Sequence, residues 1–207
     1  MFYDELTGLP NAMLFLDRLQ QAVAHAARRQ QIVALLYMDV DGFKRIADRH
    51  DAIDGDRLMQ EVASRLGSCI QRKEDTLARL CGDQFAMVLG DIDGIDGLMK
   101  VIERVSDEMA ARFRVGGREH FITLSLGASV FPGDGKDWSS LLRSASIAMH
   151  QAKAAGGGRY CCYGEEPRKQ KYGGEVISKP QIPLPLLEQA KRRNWVPSSS
   201  MGWNVTP

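Results

Sequence analysis

The chain has 207 residues, 44% of them hydrophobic and 26% charged, which is typical of a soluble globular protein with one domain and some extra length. Its net charge of +1 gives no basic field, so neither a nucleic-acid polymer nor a membrane surface is the expected partner. It has no apolar run of about 18 residues that would predict a membrane span, and its first residues are acidic, unlike a secretion signal. The four cysteines lack metal-type spacing, which predicts reduced thiols in the cytoplasm.

Hydrophobic periodicity predicts the elements in chain order. They are a helix over 12–30, a buried strand over 32–38, a helix beginning near Phe43, a helix over 55–71, a β-hairpin over 76–90, a helix over 96–113, a strand over 120–131, a helix from Trp138 to Ala152 and a short strand over 159–163. This order favours an α+β fold in which helices pack on a central, mostly antiparallel β-sheet.

The composition changes near Gly164, which predicts a domain over 1–163 and a tail over 164–207. The tail carries seven Lys or Arg against four Asp or Glu and holds six of the eight prolines. Apart from a short helical pattern over 184–193 it has little periodicity. It is interpreted as a linker, a truncated neighbouring domain or a segment that does not fold alone.

Two acidic motifs stand at the ends of predicted strands. Asp39 and Asp41 follow the first strand, where Asp39 and the carbonyl of Val40 are candidate ligands for Mg²⁺ and the next amides could cradle phosphate. The alternative is that either aspartate is only a helix N-cap. Asp83 sits at the tip of the hairpin, after Gly82; taken alone, an ordinary turn is the simpler interpretation. Together the two motifs resemble the carboxylate pair of metal-dependent phosphoryl transfer.

These motifs belong to an ordered set of landmarks, which resembles the GGDEF domains of bacterial diguanylate cyclases from about Asp4 to Tyr163. The landmarks are Asp4-Glu5-Leu6-Thr7-Gly8-Leu9-Pro10-Asn11, Met38-Asp39-Val40-Asp41-Gly42-Phe43-Lys44, Gly55-Asp56, Arg79-Leu80-Cys81-Gly82-Asp83-Gln84-Phe85, Ser125-Leu126-Gly127-Ala128 and Ala148 to Lys153. The resemblance implies a sheet wrapped by helices, similar to the adenylate cyclase and polymerase palm core. It also implies the joining of two GTP molecules into cyclic di-GMP by a homodimer.

The resemblance assigns roles to individual residues of this chain. The metal site would comprise Asp39, Asp83 and the Val40 carbonyl, with Asp39, Asp83 and Lys153 as the catalytic set if the domain is active. GTP would contact the remaining matched residues, which are Phe43, Lys44, Asp56 and Gly82.

Several residues depart from the family pattern at its nucleotide contacts. A side chain at Cys81 replaces the first signature glycine, and Gln84 replaces the signature glutamate with a neutral amide. The other departures are Ala47 for a guanine-binding asparagine, Asp51-Ala52 for Gly-His, His150 for a tyrosine and Gly157 for a phosphate-binding arginine, with Arg159 two residues further on. Together these departures predict weak or absent turnover of GTP.

A second pair of polar residues precedes the hairpin. Arg72 and Asp75 match the RxxD motif with which the family binds cyclic di-GMP as an inhibitor. An arginine can bind phosphate or guanine in bidentate fashion, and a carboxylate can accept from the guanine edge. The alternative is a solvated charged turn between a helix and a strand.

Three hypotheses remain open from the sequence. The first is a degenerate GGDEF domain that binds cyclic di-GMP at Arg72 and Asp75, or GTP, as a regulatory module. The second is an active diguanylate cyclase. The third is a protein-contact domain that regulates an adjacent EAL-type phosphodiesterase domain without binding nucleotides. The resemblance implies an EAL or a sensor domain as a possible partner.

Overall fold

The structure is a computed structural model that describes residues 2–48 and 52–170. The elements are α1 (Ala12–Arg29), β1 (Val33–Val40), α2 (Phe43–Ala47), α3 (Ala52–Ser68), β2 (Thr76–Cys81), β3 (Gln84–Gly90), α4 (Gly94–Ala110), β4 (Phe113–Val115), β5 (Arg118–His120), β6 (Leu124–Phe131), α5 (Trp138–Ala154), β7 (Arg159–Cys162) and β8 (Arg168–Lys169). The predicted helix over 184–193, Asp51 and the side chain of Ala52 lie outside the described residues.

A six-stranded sheet with the order β2-β3-β1-β6-β7-β8 forms the centre of the fold. Every neighbouring pair is antiparallel except β6 and β7, which are parallel and are connected through α5. All eight residues of β1 are buried, as expected for a continuous apolar run at the middle of a covered sheet. The α+β fold with a mostly antiparallel sheet is therefore confirmed.

Two hydrophobic layers cover the sheet, one on each face. Because successive side chains of a strand point to opposite faces, Leu36 and Met38 of β1 join a core with α3 and α4, whereas Leu35 and Tyr37 join a core with α1 and α5. Helix α5 lies directly on β6 at Gly127, where a Cβ atom would stand 2.1 Å from the carbonyl oxygen of Ala145. This close packing fixes the position of the residues at the end of α5.

The predicted helix over 96–113 is too long, because α4 ends at Ala110. Arg65 of α3 donates to the carbonyl oxygens of Ala111 (2.6 Å) and Arg112 (2.8 Å), and its guanidinium lies 3.7 Å from the ring centre of buried Phe113. The chain then enters β4, which pairs with β5 through a turn at Gly116 and Gly117. Both glycines have positive φ, as a tight two-residue hairpin requires.

The predicted strand over 120–131 begins too early, because β6 of the central sheet runs from Leu124 to Phe131. His120 ends β5, which pairs only with β4, and residues 121–123 connect the two strands. Helix α3 also lies several residues earlier than predicted, from Ala52 rather than 55 and ending at Ser68 rather than 71.

The sheet continues past the predicted boundary near Gly164. Strand β8 pairs with β7, and the Gln170 side chain donates to the carbonyl oxygens of Leu124 (2.9 Å) and Arg159 (3.2 Å). Residues up to Gln170 thus pack on the domain, and the character of the remaining tail stays a prediction. Among the described residues, none of the helices has the length and apolar composition needed to cross a membrane.

Candidate functional site: the hairpin tip and its base

The predicted catalytic residues meet at the end of the central strand β1. In the register of the sheet, Asp39 lies opposite Gln84 of β3. Lys153, in the last turn of α5, reaches the same point, with its Nζ 2.6 Å from Asp39 Oδ1. The hairpin tip adjoins them, because the backbone N–H of Val40 donates to the carbonyl oxygen of Asp83 at 3.0 Å. The fold therefore brings together residues that are 114 positions apart in the chain.

A chain of hydrogen bonds links the side chains at this point. The Tyr37 hydroxyl donates to Gln84 Oε1 at 2.9 Å, and Gln84 Nε2 donates to Asp39 Oδ2 at 3.4 Å. The Cys81 thiol lies 3.7 Å from the same Gln84 oxygen. Burial raises the pKa of Tyr37, so its hydroxyl keeps its proton and serves as the donor. Asp39 is thus bonded on both oxygens, by Lys153 on one and by the amide of Gln84 on the other.

The hairpin tip is a tight turn that the Arg79 side chain stabilises. Gly82 has a φ of 54°, and the Arg79 guanidinium donates to its carbonyl oxygen at 2.8 and 3.0 Å while pairing with Asp4 at 3.1 Å. The turn leaves Asp83 partly buried. Burial and the nearby charge of Asp39 raise the pKa of Asp83 to about 6. Asp83 therefore sits in a site that disfavours its ionised form.

Asp41 serves the fold rather than facing the hairpin. Its carboxylate accepts from the hydroxyls of Thr123 (2.7 Å) and Ser125 (2.6 Å) and from the backbone N–H of Gly158 (2.8 Å). Burial raises its pKa in spite of these bonds. The N-cap of α2 is Gly42, without a side-chain cap, so the alternative that one of the aspartates caps this helix is wrong.

A run of three glycines, Gly156–Gly158, follows α5 and packs on Asp41. All three have positive φ, and a Cβ atom at Gly157 would lie 3.2 Å from the Asp41 carboxylate. An arginine at Gly157, where the family pattern has one, would therefore strain this backbone and crowd the Asp41 carboxylate, and Arg159 belongs to β7. His150 lies on α5 three residues before Lys153, and burial lowers the pKa of its imidazole.

The predicted guanine-binding residues lie where α2 meets α3. Gly55 packs between Phe43 and Ala47, and a Cβ atom at Gly55 would lie 3.7 Å from the Ala47 Cβ. Asp56 and Lys44 are both exposed beside this contact. The structure thus places Asp56 next to the helix that carries Ala47, while their contacts with a nucleotide stay predictions.

At the other end of the hairpin, Arg72 and Asp75 close the base of β2 and β3. Arg72 Nη1 donates to the carbonyl oxygens of Gly90 (3.2 Å) and Asp91 (2.5 Å). Asp75 Oδ1 accepts from the Gly90 N–H at 3.2 Å, and burial raises the pKa of Asp75. Both members of the predicted cyclic di-GMP motif therefore bind backbone, although the Arg72 side chain stays exposed.

The residues predicted for Mg²⁺ supply few acidic ligands. Asp39 is bonded to Lys153 and Gln84, which leaves Asp83 and the Val40 carbonyl as the remaining donors of the predicted set. Across residues 2–48 and 52–170, no group of three or more His, Cys, Asp or Glu is placed to hold a metal ion. Because Mg²⁺ favours oxygen ligands and sheds its waters reluctantly, a carboxylate already paired with an ammonium is a poor ligand for it. The donor set as it stands does not fit a resident divalent cation.

Three contributors to this site were missed by reasoning from the sequence. They are Tyr37, which orients Gln84, and the hydroxyls of Thr123 and Ser125, which hold Asp41. The period-two spacing of Tyr37 and Asp39 could have placed Tyr37 on the same face of β1 as Asp39, since alternate residues of a strand share one face, but it gives no signal for Thr123 or Ser125.

Comparison with known proteins agrees with this geometry. The family described as "Diguanylate cyclase, GGDEF domain" matches residues 1–159. The bifunctional diguanylate cyclase/cyclic di-GMP phosphodiesterase MucR of Pseudomonas aeruginosa is 37% identical over 78% of this chain. The GGDEF domain of TpbB (YfiN) from the same species superposes with a TM-score of 0.75 at 30% identity, covering 78% of this chain and 94% of that one. The GGDEF domain of DgcB from Caulobacter crescentus, solved with cyclic di-GMP, has a TM-score of 0.73 at 26% identity, covering 79% and 94%.

The palm-like sheet, the hairpin between β2 and β3 and these matches define one class. The chain belongs to the GGDEF domain family of diguanylate cyclases. It spans only 23% of the length of MucR, so it corresponds to one part of that relative.

Proposed function

We propose that this chain is a regulatory GGDEF domain of cyclic di-GMP signalling, which binds a guanine nucleotide in the cytoplasm and turns GTP over weakly or not at all. The observation that carries the proposal is Gln84. It stands opposite Asp39 in the sheet and bonds it with a neutral amide, at the position where the family signature has a carboxylate.

The change from a carboxylate to an amide alters what this site can do. A carboxylate at position 84 would add negative charge beside Asp39 and strengthen the attraction of a cation, whereas an amide adds none. Departures at Cys81, Ala47 and Gly157 affect other nucleotide contacts. Losing one hydrogen-bonded contact to a base costs on the order of 1–3 kcal/mol, and several such losses together are expected to weaken turnover.

Binding of cyclic di-GMP is proposed at the base of the hairpin. Arg72 is exposed, and its bonds to the carbonyl oxygens of Gly90 and Asp91 use only Nη1, so Nε and Nη2 remain to face a phosphate or a guanine. Asp75 is half-buried next to Arg72, and its Oδ1 accepts from the Gly90 N–H, so its carboxylate lies at the same end of the hairpin as the guanidinium. The complex of the DgcB domain with cyclic di-GMP supports this ligand for a related domain.

Two measurements on the full chain test the proposal. Calorimetric titration with cyclic di-GMP and GTP should detect binding of at least one of them, and incubation with GTP and Mg²⁺ should give little or no cyclic di-GMP. Arg72→Ala should weaken cyclic di-GMP binding by about tenfold or more, as expected for a lost charged hydrogen bond, while Lys73→Ala, an exposed neighbour, should not. Robust product formation would contradict the proposal.

The second candidate is an active cyclase working as a homodimer. It is favoured by the side chains that remain at the tip, Asp39, Asp83 and Lys153, and by the left-handed turn at Gly82. Product formation that disappears in Asp83→Ala would establish this activity in place of the regulatory role.

The third candidate is a contact domain for an EAL-type or sensor domain. It is favoured by MucR, a bifunctional relative that joins a cyclase with a phosphodiesterase and whose length is several times that of this chain. Absence of binding for both GTP and cyclic di-GMP would support this candidate over the other two.

A further inference from the structure

The buried carboxylate of Asp39 already has its counter-charge inside the protein. Its side chain is only 5% exposed and that of Lys153 is 14% exposed, and the two are 2.6 Å apart. A buried ion pair persists only when good geometry and further hydrogen bonds offset the loss of hydration. Here the second oxygen of Asp39 receives the N–H of Gln84. Lysine and amide together therefore satisfy both oxygens of the carboxylate.

The orientation of the Gln84 amide is fixed by its other neighbour. Because the hydroxyl of Tyr37 donates to Oε1, the NH₂ group of Gln84 must face Asp39 as a donor. A glutamate at this position could still accept from Tyr37, but its second oxygen would face Asp39 as one carboxylate against another. Two carboxylates in contact need a shared proton or a cation between them. The amide removes that need.

The charges of the cluster lead to the same conclusion. Asp39, Asp83 and Lys153 sum to −1 when all are ionised, as −1 −1 +1, and a glutamate at Gln84 would make the sum −2. We propose that Lys153 and Gln84 take the place of a divalent cation at Asp39, so that this domain binds its guanine nucleotide through protein groups alone, without Mg²⁺. This inference rests on the proposed function for the nucleotide, whereas its statement about the cation stands on the contacts of Asp39.

Direct measurement of cation binding tests the inference without relying on activity. Free Mn²⁺, followed by electron paramagnetic resonance, is titrated with the full chain as wild type, as Gln84→Glu and as Gln20→Glu. Gln20 is exposed on α1, so its substitution adds the same charge away from the buried cluster. We expect Gln84→Glu to bind Mn²⁺ at least about tenfold more tightly than the wild type, and Gln20→Glu to match the wild type.

The wild type alone can overturn the inference, even if Gln84→Glu does not fold. Stoichiometric, tight Mn²⁺ binding by the wild-type chain would refute it, and so would equal binding by a folded Gln84→Glu. The second arm compares titrations with GTP and with cyclic di-GMP in EDTA and in Mg²⁺, and equal affinities are expected. Tight cation binding without product formation would refute the inference and leave the proposed function standing, whereas robust cyclic di-GMP synthesis would refute the proposed function.

Discussion

The two ends of the β2–β3 hairpin contrast in what their residues match and what they contact. The tip departs from the family signature at Cys81 and Gln84, yet hydrogen bonds connect Gln84 with Tyr37 and Asp39, and Asp39 with Lys153. The base keeps both letters of the RxxD motif, yet Arg72 and Asp75 hold the backbone at the end of β3. A residue that matches the family motif can therefore contact backbone in place of a ligand, and a residue that departs from the motif can still form ordered hydrogen bonds.

The two ends are also separate in space. Thr76 at the base pairs with Val88, and Cys81 near the tip pairs with Gln84. Thr76 and Cys81 are five residue steps apart along β2, roughly 17 Å at the usual rise. Substitutions at one end can therefore be compared with those at the other as nearly independent perturbations.

The largest effect is expected from Lys153→Met at the tip. Removing the ammonium leaves Asp39 buried and without its counter-charge, which should lower the free energy of unfolding by about 3 kcal/mol at neutral pH. Urea denaturation measures the change, and Lys136→Met, at a lysine outside the cluster, is the control. A loss no greater than that of the control would mean that the ion pair at the tip is not formed in solution.

An intermediate effect is expected from Asp83→Asn. The pKa of Asp83 rises from its ordinary value of 3.8 to about 6 on folding, so between these values the folded protein holds the proton more tightly than the unfolded chain. The free energy of unfolding due to this group is therefore highest below pH 3.8, falls as the pH rises to about 6 and then stays low. Asp83→Asn should be more stable than the wild type at pH 7 by about 1–3 kcal/mol.

The measurement is urea denaturation in EDTA at pH 4 to 8. The gain should shrink towards zero as the pH falls to 4, while Asp17→Asn, at an exposed aspartate of α1, shows no such trend. A gain that does not change with pH would show that the ionisation of Asp83 is not its cause.

The smallest effect on stability is expected at the base, from Arg72→Ala. Its bonds to two carbonyl oxygens are exposed, so their loss should lower the free energy of unfolding by about 1 kcal/mol. Thermal unfolding checks this value against Lys73→Ala. A loss of stability without a loss of cyclic di-GMP affinity would assign Arg72 to the fold alone and remove the ligand role from the base of the hairpin.

Much of the fold follows from local patterns, and the exceptions have definable causes. The continuous apolar run before Asp39 predicts the central strand, because a run of this short length is typical of a strand that is covered on both faces. The end of α4 could not be predicted from periodicity, since it depends on Arg65, which comes from another helix. The Gly116-Gly117 pair is a local signal for the hairpin of β4 and β5. The alternating apolar residues that follow it favoured a single strand over 120–131 instead.

The candidate site likewise contains some contacts that could be predicted from the sequence and others that could not. The proximity of Asp39 and Lys153 could be expected from the family resemblance, because residues that match the motifs of one family occupy equivalent positions in its fold. The bond from Tyr37 to Gln84 and the three donors around Asp41 could not be predicted, since they join residues from separate strands and loops whose relative positions are set by the whole sheet.

The glycine run after α5 has a consequence for engineering this site. The backbone is left-handed at Gly156–Gly158, and the Asp41 carboxylate lies 3.2 Å from where a side chain at Gly157 would begin. An arginine introduced at Gly157 would therefore meet backbone strain and a crowded Asp41, whereas no comparable positive φ stands at Gln84 or Cys81. Restoring the family residues is thus expected to disturb the structure more at Gly157 than at the hairpin.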